Sequence, residues 1–331
     1  MKETVFFLGA NSYKGFYSLY SDFPGGGEFL HIIKGGPGTG KSGYMKAIYE
    51  RTKLEGLDCE RILCSGDPDS LDGLCIPKLS RAWADGTSPH VLEPECYDVS
   101  GNYVNIGRFC SAPMNDADSR SASVLTREYK LCYEKAFNWM KAAKLHEKHG
   151  ENDDNSAELQ KNIQYIDDMT QGAGKKQGSL RRRFISAESC LGHIVLKGTL
   201  ETLCKQIRTV SDPRTLRALA EYARLRGLDV IVCPKPREPE IPEAVLVPSI
   251  GTGFVSAGTL EGEEKGRFSD CGVILRPKYS CNAEAEFMEL SWESLRKAKL
   301  VHDELEKIYR RYMNFAALTD TTKKDIEKLF N

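Results

Sequence analysis

The residue pattern best suited to chemistry is a glycine-rich stretch that ends in a lysine and a serine. Its residues are Gly35, Gly36, Pro37, Gly38, Thr39, Gly40, Lys41 and Ser42. Glycines let backbone N–H groups converge on phosphate oxygens without side-chain collisions. In this spacing the lysine would reach the β- and γ-phosphates, and the serine hydroxyl would bind Mg²⁺. The stretch therefore predicts a P-loop that binds a nucleoside triphosphate with Mg²⁺.

The flanking residues predict the strand and the helix that a P-loop needs. Residues 29–33 are apolar apart from one histidine, which indicates a buried strand. Met45, Ile48 and Tyr49 recur at helical spacing, so we expect a helix that begins near Lys41. The N-terminus of that helix would add unpaired N–H donors and a partial positive charge, both of which favour a bound phosphate.

Carboxylates follow the next predicted strand, residues 59–64. Asp67, Asp69 and Asp72 fall within six positions at its end, where loops line the ligand crevice of α/β sheets. Asp67 or Asp69 could position an attacking water or accept a proton from a nucleophile. An Asp-Pro turn with a helix cap at Ser70 uses the same residue types, so both interpretations stay open.

A further predicted strand, within residues 79–87, ends at Asp85. An aspartate in this place usually supports the Mg²⁺ shell as a Walker B carboxylate. Ser42 and Asp85 are therefore the predicted metal residues. His90 is predicted to contact phosphate or base, with a structural role as the alternative. The predicted catalytic residues are Lys41, Asp67, Asp69 and Asp85.

The chain also contains an internal repeat. The Gly-Leu-Asp of residues 56–58 recurs at 227–229, which lies 171 residues further along the chain. Trp83 has a counterpart in Phe254 in the same register. A constant register of this kind predicts a tandem duplication.

Two upstream matches extend the repeat and indicate that its second copy is degenerate. Residues 7–12 resemble residues 184–189, and residues 31–35 resemble residues 193–198. No Gly-Lys-Ser follows the latter, and a glutamate stands there that would repel phosphate. We therefore expect one active nucleotide site, in the first half.

Together these features predict an α/β P-loop NTPase fold with a mainly parallel sheet, duplicated in tandem, with a helical hairpin after each copy. The expected domains are a nucleotide-binding domain at 1–170, a basic linker at 171–183 and a degenerate repeat at 184–331. The first hairpin, at about 118–170, is indicated by an apolar stripe, a polar break at 149–155 and a second helical stretch.

Charge and composition limit the partners. The 46 basic and 47 acidic residues give a net charge of −1, so no strong overall field attracts nucleic acid or a membrane surface. The three arginines at 181–183 are expected to be solvated, with contact to a triphosphate or to nucleic acid as the alternative. The N-terminus lacks the apolar stretch of a signal peptide, so a cytoplasmic protein is expected. A protein partner or a homo-oligomer stays open.

Four segments of the first half resemble an uncharacterised family of bacterial P-loop ATP-binding proteins, found mainly in Firmicutes. They are residues 9–16 with Gly-Ala-Asn and Gly-Phe, residues 34–42, residues 67–73 (Asp-Pro-Asp-Ser-Leu-Asp-Gly) and residues 85–90 (Asp-Gly-Thr-Ser-Pro-His). The resemblance implies ATPase-type function and two modules that each carry a glycine loop. This chain departs from that pattern in its second half, where the loop is missing.

Three functions follow from the pattern. The first is Mg²⁺-dependent ATP hydrolysis, the second is a kinase that uses the aspartates to activate an acceptor, and the third is a nucleotide-sensing module without turnover. ATP is preferred over GTP because residues 322–325, which mimic a guanine-specificity motif, lie in a polar helical stretch and do not follow a strand.

Overall fold

The computed structural model describes residues 1–147, 156–170, 176–268 and 271–331, over which it forms an α/β structure with four sheets and seven helices. The predicted polar break at 149–155 lies outside these residues. The chain begins with β1 (Glu3–Phe7), β2 (Gly9–Ser12), β3 (Gly15–Ser18), β4 (Phe29–Lys34), α1 (Lys41–Leu54), β5 (Cys59–Leu63), β6 (Leu71–Ile76), β7 (Arg81–Asp85), β8 (Gly101–Asn105) and α2 (Asp116–His146). It continues with α3 (Ser156–Met169), β9 (Leu180–Arg182), β10 (Ser186–Ser189), β11 (Gly192–Val195), α4 (Lys197–Leu203), β12 (Gln206–Val210), α5 (Pro213–Leu225), β13 (Val230–Pro234), β14 (Pro242–Val247), β15 (Thr252–Ser256), β16 (Glu263–Phe268), β17 (Gly272–Arg276), α6 (Asn282–Arg310) and α7 (Phe315–Phe330).

The first large sheet has the strand order β1-β5-β6-β7-β4-β8. Strand β4 pairs in parallel with β7 and β8, and β1 pairs in parallel with β5. Strand β6 is antiparallel to both of its neighbours. The sheet is therefore mixed, with three parallel and two antiparallel pairings, where the sequence predicted a mainly parallel sheet. Helix α1 packs against β6 and β7 and buries Met45 and Ile48, as their spacing predicted.

The second large sheet, β12-β15-β14-β13-β9, repeats the order β4-β7-β6-β5-β1 of the first. Each pairing has the same direction as its counterpart, and helix α5 joins β12 to β13 as α1 joins β4 to β5. The hairpins β2–β3 and β10–β11 also correspond, because Ser12 donates to the carbonyl of Gly15 as Ser189 donates to that of Gly192. The two halves therefore share one strand topology.

This correspondence corrects one of the sequence matches. Residues 193–195 form β11, so the match of residues 193–198 with 31–35 is wrong, and the counterpart of β4 is β12. Apolar strands resemble one another, which is why the match looked sound. Helix α4, which follows β11, covers the free edge of the first sheet. Thr199 Oγ1 donates to the Val5 carbonyl at 2.6 Å and accepts from the Val5 N–H at 3.0 Å.

The two helices predicted at about 118–170 are present as α2 and α3, but the prediction that they pack together as a hairpin is wrong. Helix α2 packs antiparallel to α6 along its length, with Ala136 and Met140 in one apolar cluster with Met288 and Trp292. Helix α3 packs instead against α5 in the second half. An apolar stripe indicates which face of a helix is buried, but it does not identify the element that covers the face.

The two halves are joined by a shared apolar core. The largest cluster of buried apolar side chains includes Phe6 and Phe7 from the first half and Phe184 and Leu246 from the second. Phe7 and Phe184, which occupy equivalent positions, exchange both backbone hydrogen bonds at 2.9 Å. Arg183 is fully buried, and its Nε donates to Glu60 Oε1 at 2.8 Å. The expectation of a solvated arginine cluster is therefore wrong for this residue.

Candidate functional site

The glycine loop lies between the end of β4 and the start of α1, as predicted. Gly38 and Gly40 adopt φ angles of +64° and +99°, a left-handed backbone that glycine accepts without strain. Thr39 Oγ1 donates to the Gly36 carbonyl at 2.8 Å and closes the turn. Helix α1 begins at Lys41, directly after Gly40. The predicted strand, loop and helix are confirmed.

The ammonium group of Lys41 lies back over the loop. Its Nζ donates to the carbonyls of Gly35 at 3.0 Å and Gly36 at 2.8 Å, and it lies 3.6 Å from Asp85 Oδ2. The Lys41 side chain is only 12% exposed. A phosphate oxygen would form a stronger, charge-assisted bond with this ammonium than a neutral carbonyl does. Lys41 is therefore placed to exchange its loop contacts for an anion.

Asp85 reaches this lysine because β7 lies directly beside β4, with Asp85 paired in register with Ile33. Its Oδ1 accepts from both the N–H and the hydroxyl of Thr87. Burial raises the pKa of Asp85, the nearby Lys41 opposes that rise, and Asp72 adds to it. Mg²⁺ prefers a few hard oxygen ligands and retains several waters. The hydroxyl of Ser42 and the carboxylate of Asp85 fit those needs.

A second buried carboxylate, Asp72, was not among the predicted site residues. Gly73 pairs with Ala84 across β6 and β7, so Asp72 lies opposite Asp85. The Tyr20 hydroxyl donates to Asp72 Oδ2 at 3.0 Å, and His90 Nε2 lies 3.4 Å from the same oxygen. Burial favours a higher pKa for Asp72, but His90 and these hydrogen bonds outweigh it and hold the pKa below its usual value. The sequence shows that an aspartate is present at position 72, but it does not give the register between β6 and β7 that sets this residue opposite Asp85.

The other predicted aspartates lie in a turn before β6. Ser70 Oγ donates to Asp67 Oδ2 at 3.0 Å, and the Ser70 N–H donates to the Asp67 carbonyl, so the turn interpretation is confirmed. The predicted helix cap is wrong, because β6 follows the turn. Asp69 is exposed, and its carbonyl accepts from Lys46 Nζ at 2.6 Å.

His90 belongs to the buried group around Asp72. Its side chain packs against Tyr20, with the two ring centroids 4.3 Å apart, and against Phe16 at 5.2 Å. The residue is 8% exposed, and its Nδ1 is buried without a hydrogen-bond partner among the described residues. One ring nitrogen of His90 is therefore turned to Asp72 while the other is uncommitted.

The second half lacks the loop at the corresponding place. Only Ser211 and Asp212 connect β12 to α5. The Asp212 carboxylate caps α5 by accepting from the Arg214 N–H at 2.8 Å, so a negative charge already occupies this helix N-terminus. The counterpart of Asp72 is Glu243, and the counterpart of Asp85 is Ser256.

No protein-family model, curated protein or solved structure matches this chain. Over the described residues, no helix is long and apolar enough to cross a membrane. The same residues contain no group of three or more His, Cys, Asp or Glu side chains arranged around a metal position.

Proposed function

We propose that this chain binds ATP with Mg²⁺ at residues 35–42 and hydrolyses it. The supporting observation is the position of the Lys41 ammonium, between the carbonyls of the glycine loop and Asp85 of the adjoining parallel strand. Loop N–H groups, a helix N-terminus, a cation and a carboxylate thus meet at the carboxyl end of β4. Mg²⁺ held by Ser42 and Asp85 would neutralise charge on the phosphates.

The side chains divide the work between phosphate binding and water positioning. Lys41 binds the β- and γ-phosphate oxygens, which exchange with the carbonyls it now contacts. Asp72, whose lowered pKa keeps it ionised, accepts a hydrogen bond from the attacking water and orients it. Asp72 takes the water-positioning role that the sequence assigned to Asp67 or Asp69, because Asp69 is exposed and Asp67 contacts Ser70 and Lys299.

The proposal includes a P-loop NTPase fold that was duplicated in tandem and kept one nucleotide site. The shared strand order of the two large sheets and the 171-residue register between β5 and β13 support the duplication. In that register Asp212 replaces Lys41 and Pro213 replaces Ser42. An acidic residue in place of the lysine supports the loss of nucleotide binding in the second copy.

Equilibrium binding of a fluorescent ATP analogue and a phosphate-release assay test the proposal. Lys41→Ala should weaken ATP binding by about tenfold or more and abolish phosphate release, because the charge-assisted bonds to the phosphates are lost. Lys53→Ala is the matched control: Lys53 lies on the same helix, is exposed, and contacts only the surface of that helix, with its Nζ 3.7 Å from Glu50 and 5.4 Å from the Tyr49 ring centroid among the described contacts. Wild-type ATP binding by a Gly40→Asp, Lys41→Ala double variant would show that the site is assigned wrongly.

Transfer of the γ-phosphoryl group to a small acceptor is the second candidate function. The uncommitted Nδ1 of His90, with Nε2 turned to Asp72, favours it, because such a pair can accept a proton from an acceptor hydroxyl that enters and reaches the buried Nδ1. ATP binding without phosphate release, together with a phosphorylated product in an acceptor screen, would select this function. Tight binding without either reaction would select the nucleotide-sensing role.

A further inference from the structure

One face of α6, from the second half, lies along the glycine loop of the first half. Lys299, His302, Glu306 and Tyr309 follow each other at intervals of three, four and three residues, which places them on one side of the helix. A Cβ atom at Gly36 would lie 3.1 Å from the Tyr309 ring. At Gly38 it would lie 2.9 Å from the backbone of Glu306. Helix α6 therefore passes directly over the loop.

Lys299 extends this face to the turn before β6. Its Nζ lies 3.6 Å from Asp67 Oδ2 and also contacts Asp303 one turn along the helix. The side chains of Lys299 and Asp67 are 29% and 25% exposed. Burial lowers the pKa of Lys299, but the hydrogen bond to Asp303 and the charge of Asp67 outweigh it and raise the pKa above its usual value. A permanent cation of the second half thus faces a carboxylate of the first.

The turn that carries Asp67 is bonded to the first turns of α1. Lys46 Nζ donates to the Asp69 carbonyl at 2.6 Å. The Leu71 N–H donates to Ser42 Oγ at 2.9 Å. A shift of Asp67 would therefore move the group that fixes the hydroxyl of Ser42, the residue proposed to bind Mg²⁺.

We propose that Lys299 is a positioning residue of the nucleotide site. It fixes Asp67 and, through residues 67–71, the orientation of Ser42, so that the second half completes the site although it has lost its own loop. This inference rests on the proposed ATP hydrolysis at residues 35–42. In this inference α6 affects the rate of hydrolysis, whereas the affinity for ATP depends on the glycine loop and Lys41.

The test compares Lys299→Ala with Lys297→Ala. Lys297 lies two residues away on α6 but faces α2, where its Nζ lies 3.0 Å from Glu128 Oε1. Lys299→Ala should lower kcat for phosphate release by about 10- to 100-fold, the cost of a misplaced group, while the Kd for ATP stays within about twofold. Lys299→Arg should recover most of the rate, and Lys297→Ala should match wild type.

A double-variant cycle tests whether Lys299 acts through Asp67. Asp67→Asn alone should reproduce the loss of kcat, and the combined variant with Lys299→Ala should be no slower than Asp67→Asn. Losses that multiply, a Kd that rises in step with the fall in kcat, or a Lys299→Ala rate equal to that of Lys297→Ala would overturn the inference. If Lys299→Ala does not fold, Lys299→Gln, which keeps the length of the side chain but removes its charge, is compared with Lys297→Gln by the same criteria. Wild-type protein that fails to bind ATP would overturn the proposed function as well, and that failure is visible without any variant.

Discussion

Asp72 and Asp85 lie opposite each other across β6 and β7, yet their surroundings move their pKa values in opposite directions. Burial raises that of Asp85, whereas His90 and the Tyr20 hydroxyl outweigh burial at Asp72. Two adjacent carboxylates ionise together only if at least one has a compensating partner. The pair therefore combines a carboxylate whose pKa is held low by its partners with one whose pKa depends on the charge of Lys41.

Glu243, the counterpart of Asp72 in the second half, should make stability depend on pH. Burial raises its pKa to about 7 from the usual 4.5, although the hydrogen bond from Ser186 opposes the rise. The folded state then binds this proton more tightly than the unfolded state, so the free energy of unfolding falls as pH rises from about 4.5 to about 7. Glu243→Gln should stabilise the protein by up to about 3 kcal/mol at pH 8 and by almost nothing at pH 4.

Urea denaturation of wild type and Glu243→Gln at the two pH values measures this difference. Glu95→Gln is a suitable control, because Glu95 is exposed on the surface. An equal change in unfolding free energy at pH 4 and pH 8 would show that Glu243 does not titrate in this window.

Of the candidate site residues, the sequence predicted those that lie within one short segment of the chain. Residues 35–42, with Lys41 and Ser42, form a contiguous motif, and its spacing alone predicts a glycine loop between a strand and a helix. Asp72 could not be recognised, because its pairing with Asp85 depends on the register between two strands. Asp69 has the same residue type in the same segment, yet it is exposed.

Among the elements, two 3₁₀ turns at corresponding places in the two halves end in the same backbone conformation. Pro77–Leu79 ends at Ser80 with φ +50°, and Pro248–Ile250 ends at Gly251 with φ +62°. Both turns require a left-handed residue, and the second half uses glycine there. A side chain pays a steric penalty in that conformation.

Ser80→Gly should therefore stabilise the protein by about 0.5–1 kcal/mol, because it removes that penalty at an exposed position. Gly251→Ala, the reverse change in the equivalent turn, should destabilise it by about 1 kcal/mol. Both values can be read from urea denaturation monitored by circular dichroism. If the two variants shift stability in the same direction, the turns do not share this constraint.

The ends of helices could be predicted from the sequence, but the elements against which the helices pack could not. The predicted helix from Lys41 and the stretch that forms α3 are both present. The partners of α2 and α3 are α6 and α5, which lie more than 40 residues away along the chain. Such pairings depend on which apolar faces fit together in the folded protein. The periodicity within one helix identifies its buried face but not the element that covers it.

For the whole molecule, the halves should unfold as one unit. Phe7 and Phe184 join them at the backbone, and Arg183 pairs with Glu60 inside the shared core. Residues 181 and 182, placed by the sequence in a linker, form part of β9 in the second sheet. Arg183 was expected to be solvated with its two neighbours, because charge alone does not reveal a buried partner that lies 123 residues away.

Arg183→Ala should cost about 3–5 kcal/mol, because Glu60 would remain buried without its partner. Arg182→Ala, at the adjacent half-buried position where the side chain pairs with Asp22, should cost less, about 1 kcal/mol. Denaturation followed by both fluorescence and circular dichroism should give one coincident transition for each variant. Two separate transitions in wild type would contradict the shared core.

The cover that α6 places over the glycine loop also has a consequence during synthesis. Gly38 and Glu306, which touch in the folded protein, are separated by 268 residues. At about 5–20 residues per second, a ribosome adds Glu306 roughly 10 to 50 seconds after Gly38. Throughout that interval the loop has no α6 above it, so the nascent chain exposes the glycine loop before the residues that enclose it are made.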